Sequence, residues 1–393
     1  MEINCKSGYV FSRNPVIISN NFSESADGIN DGIKFDITMG NDTTAIYNGM
    51  SSLPLNVNVA EILDANSEFF AEIPDDNTNP ICQVEDDRDI TLARTAIVRE
   101  YTDNGYEDDA RVTVIPGGIS KQNYKALDAM GTDIFLQRFH NPACNFFMTT
   151  RTINWRIIMK ETEIMPLYFL SEKAQLVTLV ELTQNVKYTA GIAVGVYAFD
   201  VASFRRYIYN NSGIISNMFD IYRDGKYSCR VVIERSDASK ERYRLKFRNS
   251  LGVFEVIEIS GQMTITPEFD PDGDAVFNSY DNVTDDYFSA RERVSRPQSI
   301  SILTGSKRSD EVRFLMDMLS SEEVYLLDMI SVPVRVIPSV DEMQYLATPD
   351  KPATFTLNLD IADTETNIMQ EIIDGTEGKK PRVFSKQFND KFN

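Results

Sequence analysis

The sequence predicts a mainly β protein: several antiparallel, sandwich-type domains with one or two short helices. Three observations carry that prediction. Apolar residues alternate with period two in run after run. Clusters of Gly, Asn, Asp and Ser separate the runs, and a single segment shows a convincing 3.6-residue apolar stripe. At 393 residues the chain can hold two or three domains of ordinary size. The pattern divides it into an N-terminal β-sandwich-like domain (1–118), a central β-rich domain (119–240) and a C-terminal β-domain with one helix and a polar tail (241–393).

The first third alternates cleanly. In IKFDITMG, Ile33, Phe35, Ile37 and Met39 share one strand face. In LPLNVNVAEIL, Leu53, Leu55, Val57 and Val59 do the same, with Asn56 and Asn58 opposite. RTAIVREYTDNGYEDDARVTVIPGG reads as strand, turn, strand, with the Asn104-Gly105 pair that favours a tight hairpin. SNNFSESADGINDG and EIPDDNTNP supply turn chemistry between strands.

A connector follows, in which KALDAM reads as a short helix. From about 133 to 240 the chain returns to strands: TINWRIIMKET, PLYFLSEKAQLVTLVELTQ, KYTAGIAVGVYAFD and KYSCRVVIER. Several are nearly continuous apolar runs, which suits strands covered on both faces by another domain or subunit. The only tryptophan, Trp155, is expected in the core of such a strand.

The last third opens with YRLKFRNSLGVFEVIEISG, two strands around the turn Asn249–Gly252. Tyr243, Leu245 and Phe247 alternate on the first. Val253, Glu255 and Ile257 alternate on the second, with Phe254 and Val256 opposite. After QMTITPEF comes an Asp-rich loop at 268–288. The clear helix is SDEVRFLMDML, about 309–321, with Ser309 as its cap and Asp310 and Glu311 favouring the positive end of the helix dipole. Val312, Leu315, Met316 and Leu319 form its stripe, and Ser320-Ser321 end it. In the final strand Phe355, Leu357, Leu359 and Ile361 alternate. The tail EGKKPRVFSKQFNDKFN is expected to be mobile or to reach a neighbour.

Charge narrows the partners. With 39 Lys and Arg against 59 Asp and Glu, the formal net charge is −20. Such a chain repels phosphate backbones, and the small cluster Arg291, Arg293 and Arg296 is interrupted by Glu292, so no nucleic-acid role is expected. No apolar run approaches the ~20 residues of a membrane span, so membrane insertion is not expected. No signal peptide is visible at MEINCKSGYVFSRN, which points to synthesis in the cytoplasm.

Catalytic signatures are weak throughout. Cys5, Cys82, Cys144 and Cys229 lack paired metal-ligand spacing and read as four ordinary thiols. His140, the only histidine, has Cys144 nearby but no nucleophile motif around it, and reads as a turn residue. Gly117-Gly118 could offer N–H groups to an anion but lacks a phosphate-loop context, and reads as a corner closing a hairpin domain. Asp270, Asp272 and Asp274 alternate beside a Gly turn, as calcium prefers. Pro271, an Asp281 where a calcium-loop helix pair would place Glu, and strand-like flanks favour a solvated acidic loop. No catalytic, cofactor-binding or metal-ligating residue is assigned, and no cofactor is expected.

Four short segments, in order along the chain, resemble tail- and baseplate-associated structural proteins of phages and prophages of gut bacteria. They are FSRNPVII (Phe11 to Ile18), GGIS (117–120), the turn with Phe247, Asn249, Ser250, Leu251, Gly252 and Glu255, and LSSEEVY (Leu319 to Tyr325) before PVRVIPS. The resemblance implies a virion component of β-sandwich domains, made in the host cytoplasm, whose partners are copies of itself and other virion tail proteins. It carries over no enzymatic residue. Two alternatives stand beside it: a tail-fibre adhesin binding a host-surface glycan or receptor, and a glycan hydrolase. The adhesin should show a concave patch of exposed Tyr or Phe, and the hydrolase two carboxylates ~5–9.5 Å apart in a cleft.

Overall fold

A computed structural model describes residues 1–20, 32–39, 42–50, 55–66, 73–74, 77–84, 93–102, 105–153, 155–236, 241–267, 276–291, 298–327, 333–343 and 352–362. The chain is mainly β, with several antiparallel sheets and few short helices, in the manner of a multidomain β-sandwich protein.

The N-terminal core lies between two sheets. One has five strands in the order Tyr9–Phe11, Gly105–Ile115, Arg94–Thr102, Gly32–Met39, Asp42–Met50. The first of these runs parallel to its neighbour and the others are antiparallel. The second sheet comprises Glu2–Ile3, Ile17–Ser19 and Asn56–Asn58. Ile33, Phe35 and Ile37 are buried as their alternation predicts, and meet Ile18, Val98 and Val114. LPLNVNVAEIL is shorter as a strand than its alternation suggests. After Asn58 the chain turns into helix α1 (Ala60–Ala65), which delivers Leu63 to the same core. Leu53 and Asn104 lie outside the described residues.

Helix α2 (Lys121–Ala129) covers the expected KALDAM segment up to Ala129, with Met130 as its C-cap, and Ser120 caps its start by accepting the Asn123 N–H. A π-helical turn, Phe135–Phe139, then buries both of its phenylalanines. The central body has a six-stranded sheet in the order Thr152–Ile153, Arg156–Lys160, Lys226–Glu234, Met218–Arg223, Gln175–Glu181, Lys187–Ile192. A three-stranded sheet, Leu167–Ser171, Gly195–Phe199 and Ile81–Gln83, draws its last strand from the first third of the chain. Leu167–Ser171 is buried at all five positions, which explains its unbroken apolar sequence.

Two features of the central body differ from the sequence expectation. Trp155 is not core: it is 49% exposed, at φ 69° in the tight turn between Thr152–Ile153 and Arg156–Lys160. TINWRII is therefore a hairpin rather than one strand. Helix α3 (Val201–Ser212) was hidden among strands. Asp200 caps it through the Ser203 N–H, left-handed Gly213 ends it, and Val201, Phe204 and Ile208 pack into the core with Phe147, Phe199 and Phe219.

The C-terminal body is a seven-stranded antiparallel sheet. Its order is Phe254–Ser260, Arg242–Arg248, Val324–Leu326, Val334–Ser339, Thr356–Ile361, Gln298–Leu303, Met263–Pro267. Helix α4 (Ser309–Leu319) packs Val312, Phe314, Leu315 and Met318 with Leu245, Phe247, Ile257 and Leu357. Ser309 is the first helical residue rather than the cap. Arg308 occupies the cap, and its N–H donates to Glu311 Oε2 at 2.9 Å. Met316 is 42% exposed, so the buried stripe sits further toward Phe314 and Met318 than the sequence spacing suggested. Of the Asp-rich loop, Val276–Asp281 and Asp286–Arg291 form a two-stranded hairpin, while Asp270, Asp272 and Asp274 lie outside the described residues. The basic tail beyond Ala362 also lies outside them.

Candidate functional site

His140 and Cys229 are buried, and Cys5, Cys82 and Cys144 are half-buried. His140 ends the π-helical turn, its N–H donating to the Phe135 carbonyl at 2.7 Å and its ring edge-on to Tyr9 at 4.7 Å. Nδ1 lies 2.9 Å from Glu172 Oε2, but off the axis of a hydrogen bond, and neither ring nitrogen makes one. Burial pushes the imidazole below its usual range, against the opposing pull of Glu172. The four cysteines are free, and burial pushes Cys82 up to about 11 and Cys229 up to about 12, so these two are inert thiols. Among the described residues no group of three or more His, Cys, Asp or Glu is placed to hold a metal ion.

Two arginines that no sequence pattern singled out, Arg138 half-buried and Arg223 buried, organise the chain around Cys144. Arg138 donates to the carbonyls of Asn145 (3.0 Å), Phe147 (3.2 Å) and Thr149 (3.0 Å). Arg223, fully buried, donates to the carbonyls of Phe139 (2.5 Å) and Leu170 (3.4 Å) and to Gln175 Oε1. Its desolvation brings it down to about 10.

The segments that carry the resemblance converge on one place. Gly117 sits at φ +109° and Gly252 at φ +86°, back to back. A Cβ on Gly117 would collide with the Ser250 carbonyl, and one on Gly252 with the Pro116 carbonyl. Only glycine permits both the left-handed backbone and this approach. The Gly118 N–H donates to the Ser250 carbonyl at 2.8 Å, joining the Pro116–Ser120 corner to the Asn249–Gly252 turn. The FSRN segment clamps the corner from the other side. The Gly117 N–H donates to Ser12 Oγ (3.2 Å), the Arg13 N–H to the Gly117 carbonyl (2.9 Å), and Asn14 exchanges two hydrogen bonds with Ile119. Around this point Phe11, Ile115, Phe135, Leu170, Val196 and Leu251 form an apolar cluster drawn from all three bodies.

Asn249 explains the turn sequence. Its Oδ1 accepts the N–H groups of Leu251 (3.0 Å) and Val253 (3.1 Å), while Nδ2 donates to Glu255 Oε2 (2.7 Å) and to the Met148 carbonyl (3.1 Å). Glu255 Oε1 accepts from Thr149 Oγ1 at 2.6 Å and lies 3.5 Å from Arg151 Nε. Beside it, Arg151 Nη1 donates to Glu163 Oε2 at 2.6 Å, Nη2 to the Val256 carbonyl, and the guanidinium lies 4.0 Å from the centre of the Phe314 ring. Lys160 Nζ pairs with Glu258 Oε1 at 3.4 Å, and Lys307 Nζ donates to the Glu258 carbonyl at 2.6 Å. Asp317 of α4 accepts from Thr150 Oγ1 (2.7 Å) and from the Ser250 N–H (3.2 Å).

This buried seam splits its carboxyls. Burial pushes Glu255 and Asp317 above the usual carboxylate range, only partly offset by Arg151 at Glu255 and by hydrogen bonds at both. Burial would also raise Glu163, but Arg151 and the N–H groups of Glu258 and Lys160 hold it below the usual range. Outside the seam lies a polar cleft of about 690 Å³. Ion pairs cross it: Arg13 reaches Glu322 at 2.9 Å and Asp64 at 3.4 Å, and Arg248 reaches Glu323 at 3.0 Å. The site is thus a three-way joint, fixed by glycines at its centre and by ion pairs at its rim.

The sequence had marked Gly117, Asn249, Gly252 and Glu255 individually but not their meeting. Arg151, Glu163, Glu258 and Asp317 were missed, since nothing local distinguishes them from other surface-compatible charges. No family model matches the chain, and no curated protein matches it.

Proposed function

We propose that the chain is a structural virion component, a tail-tip or baseplate assembly subunit acting through contacts with copies of itself and with other tail proteins. The observation that carries this reading is the convergence at the joint. All four segments that resemble phage tail proteins lie on its two sides, and their backbone and side-chain groups are used to hold three sheet systems in one orientation. That use suits a rigid scaffold, because buried, mutually satisfied polar groups penalise any other domain arrangement. A subunit of this kind gains further stability from symmetric association.

The test is the composition of the particle. Tail structures purified from cells producing the phage or prophage should contain the chain at fixed stoichiometry by peptide mass spectrometry. Gold-labelled antibody should mark the tail tip or baseplate. Complete, labelled-free particles lacking the chain would contradict the proposal.

A further inference from the structure

We propose that the hairpin Val276–Arg291 of one copy docks in the groove beside helix α3 of a second copy, a head-to-tail contact that rests on the assembly reading. Most of its described side chains, from Asn278 to Ser289, are exposed. Tyr280 and Tyr287 face each other across the strands with rings 5.0 Å apart, Tyr287 is 70% exposed, Phe288 51%, and Val283 at the tip 93%. A two-stranded hairpin is marginal by itself in water, and exposed aromatic surface of this kind gains most from a partner. Its turn is nevertheless built: Asp281 accepts the Val283 N–H (2.9 Å) and the Thr284 hydroxyl (2.9 Å), and Asp285 accepts the Tyr280 hydroxyl. The tip therefore presents a preformed apolar wedge ringed by Asp281, Asp285 and Asp286.

The groove has the opposite character. It encloses about 440 Å³ and is lined by Ile164, Ala202, Arg205, Arg206, Tyr209 and Ile215. Ile215 is 67% and Tyr209 55% exposed, so its floor is apolar and open. Arg206 donates to the Asn77 carbonyl and Ser203 Oγ, and Arg205 reaches Glu161 at 3.5 Å and Asn217 at 2.9 Å. Those bonds orient two guanidinium groups at the groove in a chain whose net charge is −20. An acidic, aromatic wedge and a basic, apolar groove are complementary in both respects. Two hairpins brought together would instead oppose their own aspartates. Because both surfaces are open within one chain, the contact joins different copies, and a heterologous contact of this kind closes a ring or propagates a filament.

Sedimentation velocity over a concentration series tests it with three chains: wild type, Val283→Asp/Tyr287→Ser, and Ile215→Asp. Wild type should form discrete oligomers. Each variant should sediment as a monomer with an unchanged circular dichroism spectrum, yet an equimolar mixture of the two should yield one-to-one dimers, since each retains one intact half of the contact. Arg206→Glu and Asp286→Arg should each weaken association at least tenfold, and their combination in one chain should restore it. Variants that keep the wild-type mass would overturn this contact while leaving the assembly reading standing. A wild type that stays monomeric at every concentration would also overturn it, and the assembly reading would then be decided by particle composition.

Discussion

Two hairpins of the last third, Arg242–Ser260 and Val276–Arg291, start from similar material and end differently. Both are antiparallel, both carry aromatics on facing strands, and both place acids near the turn. In the first, Phe254–Ile259 is buried at every position, and Glu255 and Glu258 meet Arg151, Lys160 and Thr162. In the second, the described side chains are mostly exposed and the hydrogen bonds of Asp281, Asp285 and Asp286 stay inside the hairpin. Local pattern makes a hairpin in each case; what its acids and glycines meet decides whether it becomes scaffold or free surface.

The contrast can be broken most strongly from the core side. Phe247→Ala empties a fully buried site against Phe314 of α4, and should cost about 3–5 kcal/mol in chemical denaturation. A loss below about 1 kcal/mol would remove the hairpin from the core. Arg151→Ala strands Glu163 and Glu255 without their common cation, and should cost about 3–5 kcal/mol, as removal of one partner from a buried ion pair does. If Arg151→Ala melts like wild type, the seam is not holding the bodies together.

Titration sharpens the comparison with a smaller effect. The folded pKa of Glu255 is raised, so its contribution is fully present below the unfolded carboxylate range and is lost as pH rises through the folded value. Glu163, held low, contributes in the opposite sense, losing its share as pH falls through its folded value. Against Glu255→Gln, wild type should therefore lose ground in Tm as pH rises from ~4 toward neutrality, a window set by the ordinary Glu value near ~4.3 and the raised folded one. A Tm difference that stays constant or grows with pH would contradict the assignment. The smallest effect belongs to the open hairpin: Tyr287→Ser should change monomer stability by no more than about 0.5 kcal/mol, as surface substitutions do. A larger loss would show that its ring is already covered within the chain.

Much of the fold was legible because burial on one face leaves period-two traces, as in Ile33, Phe35 and Ile37 or Leu357 and Leu359. Helix α3 was not, because Val201, Phe204 and Ile208 sit between apolar strands and the cap is a single Asp200. Trp155 misled because an aromatic in an alternating run also suits a tight turn when the backbone goes left-handed. At the joint, glycines and Asn249 could be noticed from turn chemistry, but Arg151 and Glu255 are partners 104 positions apart in the chain. Such pairings are set by how sheets stack, which no local spacing encodes.

The most direct measurement of the central claim, that the joint locks three sheet systems into one body, is differential scanning calorimetry of wild type and Gly117→Val. The substitution adds a branched side chain at a left-handed position against the Ser250 carbonyl. The account predicts one cooperative transition for wild type and separated, lower transitions for the variant. Wild type already unfolding in independent steps, or Gly117→Val melting as a single unshifted transition, would contradict it.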